Sequence, residues 1–378
     1  MFFRDIIGQS EAKQRLLSTV SGNRISHAQL FFGHEGYGAL PLTLAYAQYI
    51  HCTNRGADES CGECPSCQKY AKLVHPDLHF VFPIAMSKDV RVSTHLIAQW
   101  REALLENAYL TLDEWFDKID ADNKQPVIGT DESGEILRKL SLTTFEGEYK
   151  IMIIWLAEKM NLTAANKLLK ILEEPPDKTL FLLVTENEDQ LLRTIVSRTQ
   201  LVKVRAIADA DLRDALMQRH ELSFADAEKV AFQSDGSYAT ARQVINRNEQ
   251  AAFNLATFQK WMRAALKFDG PKVISAVDEL ATVGRERQKN FLLYALTLVR
   301  ESLLLNYADQ SLVRMSGEEL AFISKFAPFI HAANGEKFIE ELDKAFSHIE
   351  RNGNAKMIFL DLSFKANELL NIPKPQAV

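Results

Sequence analysis

Apolar positions recur along this chain in two rhythms. Short, nearly unbroken runs fall at 29–32, 79–82, 151–156, 180–185 and 201–205, with stretches of helical spacing between them. Such runs alternating with helices predict a parallel sheet covered on both faces, hence an α/β fold. Residues 3–22 have a helical period after an Ile7-Gly8-Gln9 opening. The clearest helix is 164–174, AANKLLKILEE, with Leu168, Leu169, Ile171 and Leu172 on one side and a stop at Pro175-Pro176. Beyond residue 206 the strand pattern ceases. Residues 209–246 read as small helices broken at Asp235-Gly236-Ser237, and from about 248 the spacing is helical to the end, most apolar at 291–305 and 356–370. One stretch, 84–129, is rich in aromatics and charges, with Trp100, Tyr109, Trp115 and Phe116. Its spacing is helical, and it reads as an insertion within the sheet domain.

At 378 residues the chain is too long for one ordinary core, which predicts two or three domains. A formal net charge of -6 argues against binding nucleic acid by bulk electrostatics alone, while allowing a basic face within a larger assembly. The opening MFFRDIIGQS has no signal-like apolar stretch, and no run approaches the roughly 20 residues of a membrane span. The expected location is cytoplasmic, with no membrane partner.

The first apolar run leads into GHEGYGALPLT. Gly33, Gly36 and Gly38 have the spacing of a phosphate-binding loop, G-x-x-x-x-G-K-[ST]. A working loop wraps backbone N–H groups around phosphates at a helix N-terminus, neutralises them with the lysine and holds Mg²⁺ with the hydroxyl. Here Ala39 and Leu40 stand in those two positions. The glycines therefore serve either as a strand-to-helix turn or as a nucleotide site without hydrolysis. The partner motif is a strand ending in Asp-Glu, whose carboxylates hold Mg²⁺ and polarise water. In KIMIIWLAEKMN the corresponding positions are Trp155 and Leu156, and Glu158, two residues on, reads as a surface residue. Two losses in one site predict a disabled nucleotide site that does not hydrolyse ATP.

All 4 cysteines fall in one window, Cys52-x8-Cys61-x2-Cys64-x2-Cys67, within 52–67. A disulfide framework would spread them out. Four thiolates at tetrahedral reach suit a structural Zn²⁺ with Zn–S of about 2.3 Å; the alternatives are an iron–sulfur cluster and, behind it, unligated buried cysteines. Ser197-Arg198 closes RTIVSR after the fourth run. An arginine there is a surface residue or helix cap, or, lying on the sheet's edge away from its own loop, one that reaches into a neighbour's active site. Lys167 and Lys170 lie on the polar side of the 164–174 helix, either a solvated face or a phosphate contact.

Together the motifs FRDIIGQ (3–9), RISHAQLFFGHEGYG (24–38), the cysteine module, HPDLH (75–79), ANKLLKILEEPP (165–176) and TIVSR (194–198) resemble the δ′ family of bacterial DNA polymerase III clamp-loader subunits, within the AAA+ superfamily. The resemblance implies an AAA+ sheet domain with a zinc module over 1–206, a helical lid over 207–248 and an all-α collar over 249–378. It implies a pseudo-ATPase, since the catalytic γ and τ relatives keep the lysine, threonine and Asp-Glu pair. It implies that Arg198, with Ser197 beside it, acts in trans as the arginine of the family's Ser-Arg-Cys motif, with Thr199 replacing the cysteine. Ala239 stands where active relatives have a lid arginine, and Arg242 lies one turn on. The implied partners are γ/τ and δ subunits, a sliding clamp indirectly, and primer–template DNA within the complex. Two rival readings are an active γ/τ-like ATPase and a stand-alone zinc-dependent DNA-binding protein.

Overall fold

Each of the five apolar runs forms a strand of one parallel sheet. The computed structural model describes residues 1–121, 124–141, 143–307 and 317–374. Its strands are β1 (Ala28–Phe32), β2 (Leu78–Val81), β3 (Ile84–Ala85), β4 (Pro126–Val127), β5 (Lys150–Trp155), β6 (Thr179–Thr185) and β7 (Gln200–Lys203). The main sheet runs β2-β5-β6-β1-β7, every neighbouring pair parallel. Alternate residues of β5 enter two different cores. Ile151, Ile153 and Trp155 pack with the helix Ala39–His51, and Met152 and Ile154 with the helix Leu162–Glu173. A strand covered on both faces has no polar side to alternate with, which is why KIMIIW reads as an unbroken run. This is the helix-covered parallel sheet that the AAA+ resemblance implies.

The chain divides into two units, Met1–Ile245 and Asn246–Val378. Within the first, the helices Asp209–His220 and Phe224–Gln233 and the opening of the helix Tyr238–Lys267 surround their own core of Leu212, Leu216, Ala227, Val230, Tyr238 and Ala241, joined by Ile7 and Tyr109. The Ser223 hydroxyl accepts the Asp226 N–H and starts the second of these helices. Gly236, at φ +73°, separates it from the third, and a Cβ there would meet the Ile207 carbonyl at 2.8 Å. Among its described residues the second unit is entirely helical. Its core gathers Phe258, Trp261, Phe291, Leu298, Phe338, Leu342 and Phe359, and the Trp261 indole donates to the Ser363 hydroxyl at 2.8 Å. The helix Tyr238–Lys267 runs through residue 248, where the sequence reading divides lid from collar.

The insertion at 84–129 starts and ends on a ladder absent from the sequence reading. β3 and β4 pair antiparallel, Ile84 with Val127 and Ala85 with Pro126. Two residues per strand are too few to show alternation beside a helical signal. Between them lie the helices Ile97–Glu106 and Leu112–Lys118; residues 122 and 123 are outside the described set. Trp100 and Trp115 are fully buried. Trp100 stacks on Phe82 with ring centroids 4.2 Å apart and meets Trp155 at 5.0 Å, so the insertion packs on the end of β5. No described helix is long and apolar enough to cross a membrane.

Candidate functional site

β1 delivers the chain to Gly33, and Gly38 caps the helix Ala39–His51. Gly36 and Gly38 have φ of +80° and +99°, a region L side chains rarely occupy. Crowding adds a second reason for glycine. A Cβ on Gly33 would lie 2.7 Å from the Val204 carbonyl, and one on Gly36 would lie 2.2 Å from the Ser237 hydroxyl. Packing alone thus accounts for the glycine frame. Ala39 and Leu40 are buried in the main core in the first turn of the helix.

The remaining space at the loop is about 20 Å³, lined by Gly33, Gly38, Tyr109, Leu110, Trp155 and Glu186 among others, with no lysine or arginine among the described residues that bound it. That is room for about one water, against roughly 300–1,000 Å³ for a ligand pocket. The titratable groups nearby are acidic. Burial, then the Glu35 and Glu158 carboxylates, push the Glu186 carboxyl up to about 8. Glu158 is not the surface residue its sequence position suggests. It is half-buried, accepting the Thr185 hydroxyl at 2.8 Å and the Glu186 N–H at 3.1 Å. Leu156, at φ +52° and buried, turns the chain off β5 so that Glu158 comes back over the end of β6.

The four cysteines converge. Their Sγ atoms all lie within 4.8 Å of one another, with Cys52–Cys61 at 3.5 Å and Cys61–Cys67 at 4.0 Å, and none is in a disulfide. A tetrahedron with Zn–S of about 2.3 Å has edges of about 3.8 Å, so the donor set fits such an ion. Backbone N–H groups of Cys61, Cys64 and Cys67 point at the Sγ atoms of Cys52, Cys61 and Cys64, at 3.2, 3.3 and 3.4 Å, which stabilises thiolate charge. Gly62, at φ +78°, turns the chain between ligands, and Phe2 packs against it. Cys64 caps the helix Pro65–Tyr70. The Glu59 carboxylate accepts the N–H groups of Phe3 and Arg4, tying the module to the start of the chain. These residues could hold a metal ion.

Ser197 and Arg198 are not brought to the loop. β1 and β7 are parallel, Gln29 opposite Gln200 and Phe32 opposite Lys203. Gly33 follows the last residue of β1, whereas Arg198 precedes the first residue of β7, so the two lie at opposite ends of the strands. Arg198 is exposed, paired with the Glu173 carboxylate at 2.6 Å and donating to the Thr194 carbonyl at 3.1 Å. Ser197 donates to the same carbonyl. Lys167 and Lys170 are exposed on the helix Leu162–Glu173.

A sequence profile described as "DNA polymerase III, delta subunit" matches residues 8–208, more than half of the chain. The chain belongs to that family. Among the delta family's curated relatives, DNA polymerase III subunit delta′ of Bacillus subtilis is 30% identical over 212 residues, 56% of this chain and 52% of the relative. Subunit delta′ of Pseudomonas aeruginosa is 29% identical over 187 residues, 49% of this chain and 45% of the relative. Subunit tau of Bacillus subtilis is 24% identical over 250 residues, 65% of this chain and 37% of the relative. The chain spans about half, or less, of the length of the relatives it matches. Its likeness within the delta family is to delta′.

Sequence reasoning missed what this delta-family chain places over its loop. Tyr109 registers in the sequence only as one aromatic of an insertion, and Glu114 not at all. Yet the Tyr109 ring faces Gly38, and Glu114 accepts both hydrogen bonds of an ion pair with Arg242, at 2.7 and 3.0 Å. No local pattern links positions so far apart in the chain.

Proposed function

We propose that this chain is the δ′ subunit of a cytoplasmic clamp loader, an end-piece that completes a heteropentamer with γ/τ and δ subunits and helps place a sliding clamp on primed DNA. Its own loop is catalytically silent. The polarity of the sheet carries the reading: a glycine loop with Ala39 and Leu40 in the lysine and Ser/Thr positions at one end, an exposed arginine at the other. Residues 1–206 form the sheet domain, 207–248 a lid and 249–378 a collar. In this reading Arg198, beside Ser197, leaves Glu173 and reaches a neighbouring subunit's γ-phosphoryl group as an arginine finger. The planar guanidinium grips two phosphate oxygens as charge shifts toward them. Cys52, Cys61, Cys64 and Cys67 hold one structural Zn²⁺, which fills its tetrahedron and leaves no open position for chemistry.

The full chain alone should not turn over ATP. A γ/τ-like ATPase would need the charge and metal ligand that Ala39 and Leu40 lack. The decisive experiment reconstitutes the pentamer with Arg198→Ala and Arg198→Lys. Assembly should be normal, with turnover at the served site falling on the order of 10³–10⁵-fold. Total turnover should fall less, because other sites continue. Lysine should be nearly as damaging as alanine. Normal assembly with unchanged turnover and clamp loading would make Arg198 a surface residue only.

A further inference from the structure

The segment 107–114 of the insertion lies over the loop and contacts Gly38, Ile7, Tyr238 and Arg242. The Tyr109 ring lies against Gly38, its carbons 3.2 and 3.5 Å from where a Cβ would stand. Its hydroxyl accepts the Ile7 N–H at 2.9 Å, and its ring meets Tyr238 with centroids 4.9 Å apart. Glu114 is fixed before it meets Arg242. It accepts the Thr111 N–H at 3.0 Å and the Asn107 amide at 3.1 Å, while its own N–H donates to the Thr111 hydroxyl at 3.2 Å. This capping box starts the helix Leu112–Lys118 and leaves the carboxylate aimed at the lid. Tyr109 shares its core with Leu212, Leu216 and Val230 of the lid helices.

We propose that this segment is a built-in occupant of the phosphate loop: Tyr109 closes the helix N-terminus at Gly38, and the Glu114 carboxylate gives Arg242 the negative partner that a phosphate would otherwise supply. The consequence is twofold. The loop is shut to nucleotide, and the lid helices are tied to the sheet with no ligand present. The acidic side chains of Glu35, Glu158 and Glu186 leave, among the described residues that bound the loop, no cation to attract a phosphate that approaches. The inference rests on the reading of the loop as a former phosphate site, and it goes further by naming what fills it.

The test uses the full chain with Mg–ATP as probe, followed by calorimetry and amide hydrogen exchange. Wild type should bind no ATP, and the exchange of 33–40 should not respond to it. Restoring the loop with Ala39→Lys and Leu40→Thr should still give no binding while Tyr109 is present. Adding Tyr109→Ala to that pair should open the site and give saturable binding. Independently, Glu114→Gln keeps the shape but removes the charge. It should speed exchange in Asp209–His220 and Phe224–Gln233 by about tenfold without ligand. ATP binding by wild type, equal binding by the restored loop with and without Tyr109, or no binding by a folded triple variant would each overturn the proposal. So would unchanged exchange in Glu114→Gln. If the triple variant fails to fold, the Tyr109-intact restored loop and Glu114→Gln still decide. ATP turnover by wild type would defeat the functional reading, whereas binding without turnover would defeat only the built-in occupant.

Discussion

The glycine loop and the cysteine cluster flank the same helix, Ala39–His51, one a backbone frame and the other a set of donor atoms. At the loop the protein itself has moved in. Gly33, Gly36 and Gly38 are still required, but by Val204, Ser237 and Tyr109 pressing against them. At the cluster four sulfur atoms face one another at separations that fit a tetrahedral ion. A backbone frame can be retained by packing after its ligand has gone, because glycine serves either purpose. A donor set is tied more closely to its ion: among four cysteines this close, Cys52 and Cys67 hold their protons until a cation takes the protons' place.

The comparison breaks most visibly if the metal is taken away. Purified protein should carry one zinc ion per chain. Chelation or Cys64→Ser should cost several kcal/mol of stability around 52–67, since a structural Zn²⁺ contributes its binding energy to folding. Added ATP should shift the melting temperature of the same protein by nothing. Metal analysis and thermal scans read both, and iron with visible charge-transfer absorption would overturn the zinc assignment.

A smaller effect sharpens the loop side. Gly36→Ala should destabilise by about 3 kcal/mol, combining left-handed backbone strain with the Ser237 and Ala239 contacts. Gly134 is the control. It lies within the helix Thr130–Leu140 with open space where a Cβ would go, so Gly134→Ala should stabilise by about 0.5–1 kcal/mol. Denaturant midpoints distinguish the two, and a neutral Gly36→Ala would mean the loop is kept for a ligand and not for packing.

The most gradual effect is with pH. The Glu186 carboxyl, raised by burial and by its carboxylate neighbours to about 8, keeps a proton in the folded chain that it loses on unfolding above its ordinary value of 4.5. The folded state binds more protons across that window, so this contribution to stability falls as pH rises from about 4.5 to about 8. Glu186→Gln should flatten that slope. Asp77 acts in the opposite sense. Burial opposes its charge, but N–H groups of Phe145, Glu146 and Gly147, at 2.7–2.9 Å, outweigh burial and lower its pKa. Its contribution is present above the ordinary value of 3.8 and is lost as pH falls through the lowered one. Asp77→Asn should therefore cost stability at neutral pH and little in acid, as urea titrations across pH would show.

The inner strands β1, β5 and β6 were legible because both faces are covered, leaving runs such as 151–156 without a polar gap, while the edge strands β2 and β7 still kept enough apolar residues to show. The helix Leu162–Glu173 was legible from its buried Leu168, Ile171 and Leu172 and its proline stop. The cysteine cluster was legible because its ligands are close in sequence. What escaped depends on contacts across the chain. Glu158 looked like a surface residue because nothing near it in sequence announces Thr185. The β3–β4 ladder was too short to leave a pattern. Tyr109 and Glu114 acquire their meaning only from Gly38 and Arg242, residues that lie far off along the chain and are brought together by the fold.

The pairing of Arg198 with Glu173 has a consequence for range. A lone guanidinium on a protein surface projects its field over about a Debye length, roughly 10 Å at 0.1 M salt. Held 2.6 Å from a carboxylate, it projects only a dipole, which fades much faster with distance. Approaching phosphates, whether on nucleic acid or on stray nucleotide, gain little attraction from Arg198 itself. The full positive charge is felt only at contact, by a group able to take Glu173's place. In the proposed trans role, such an ion pair would act as a short-sighted sensor, silent toward passing anions and responsive to one delivered against it.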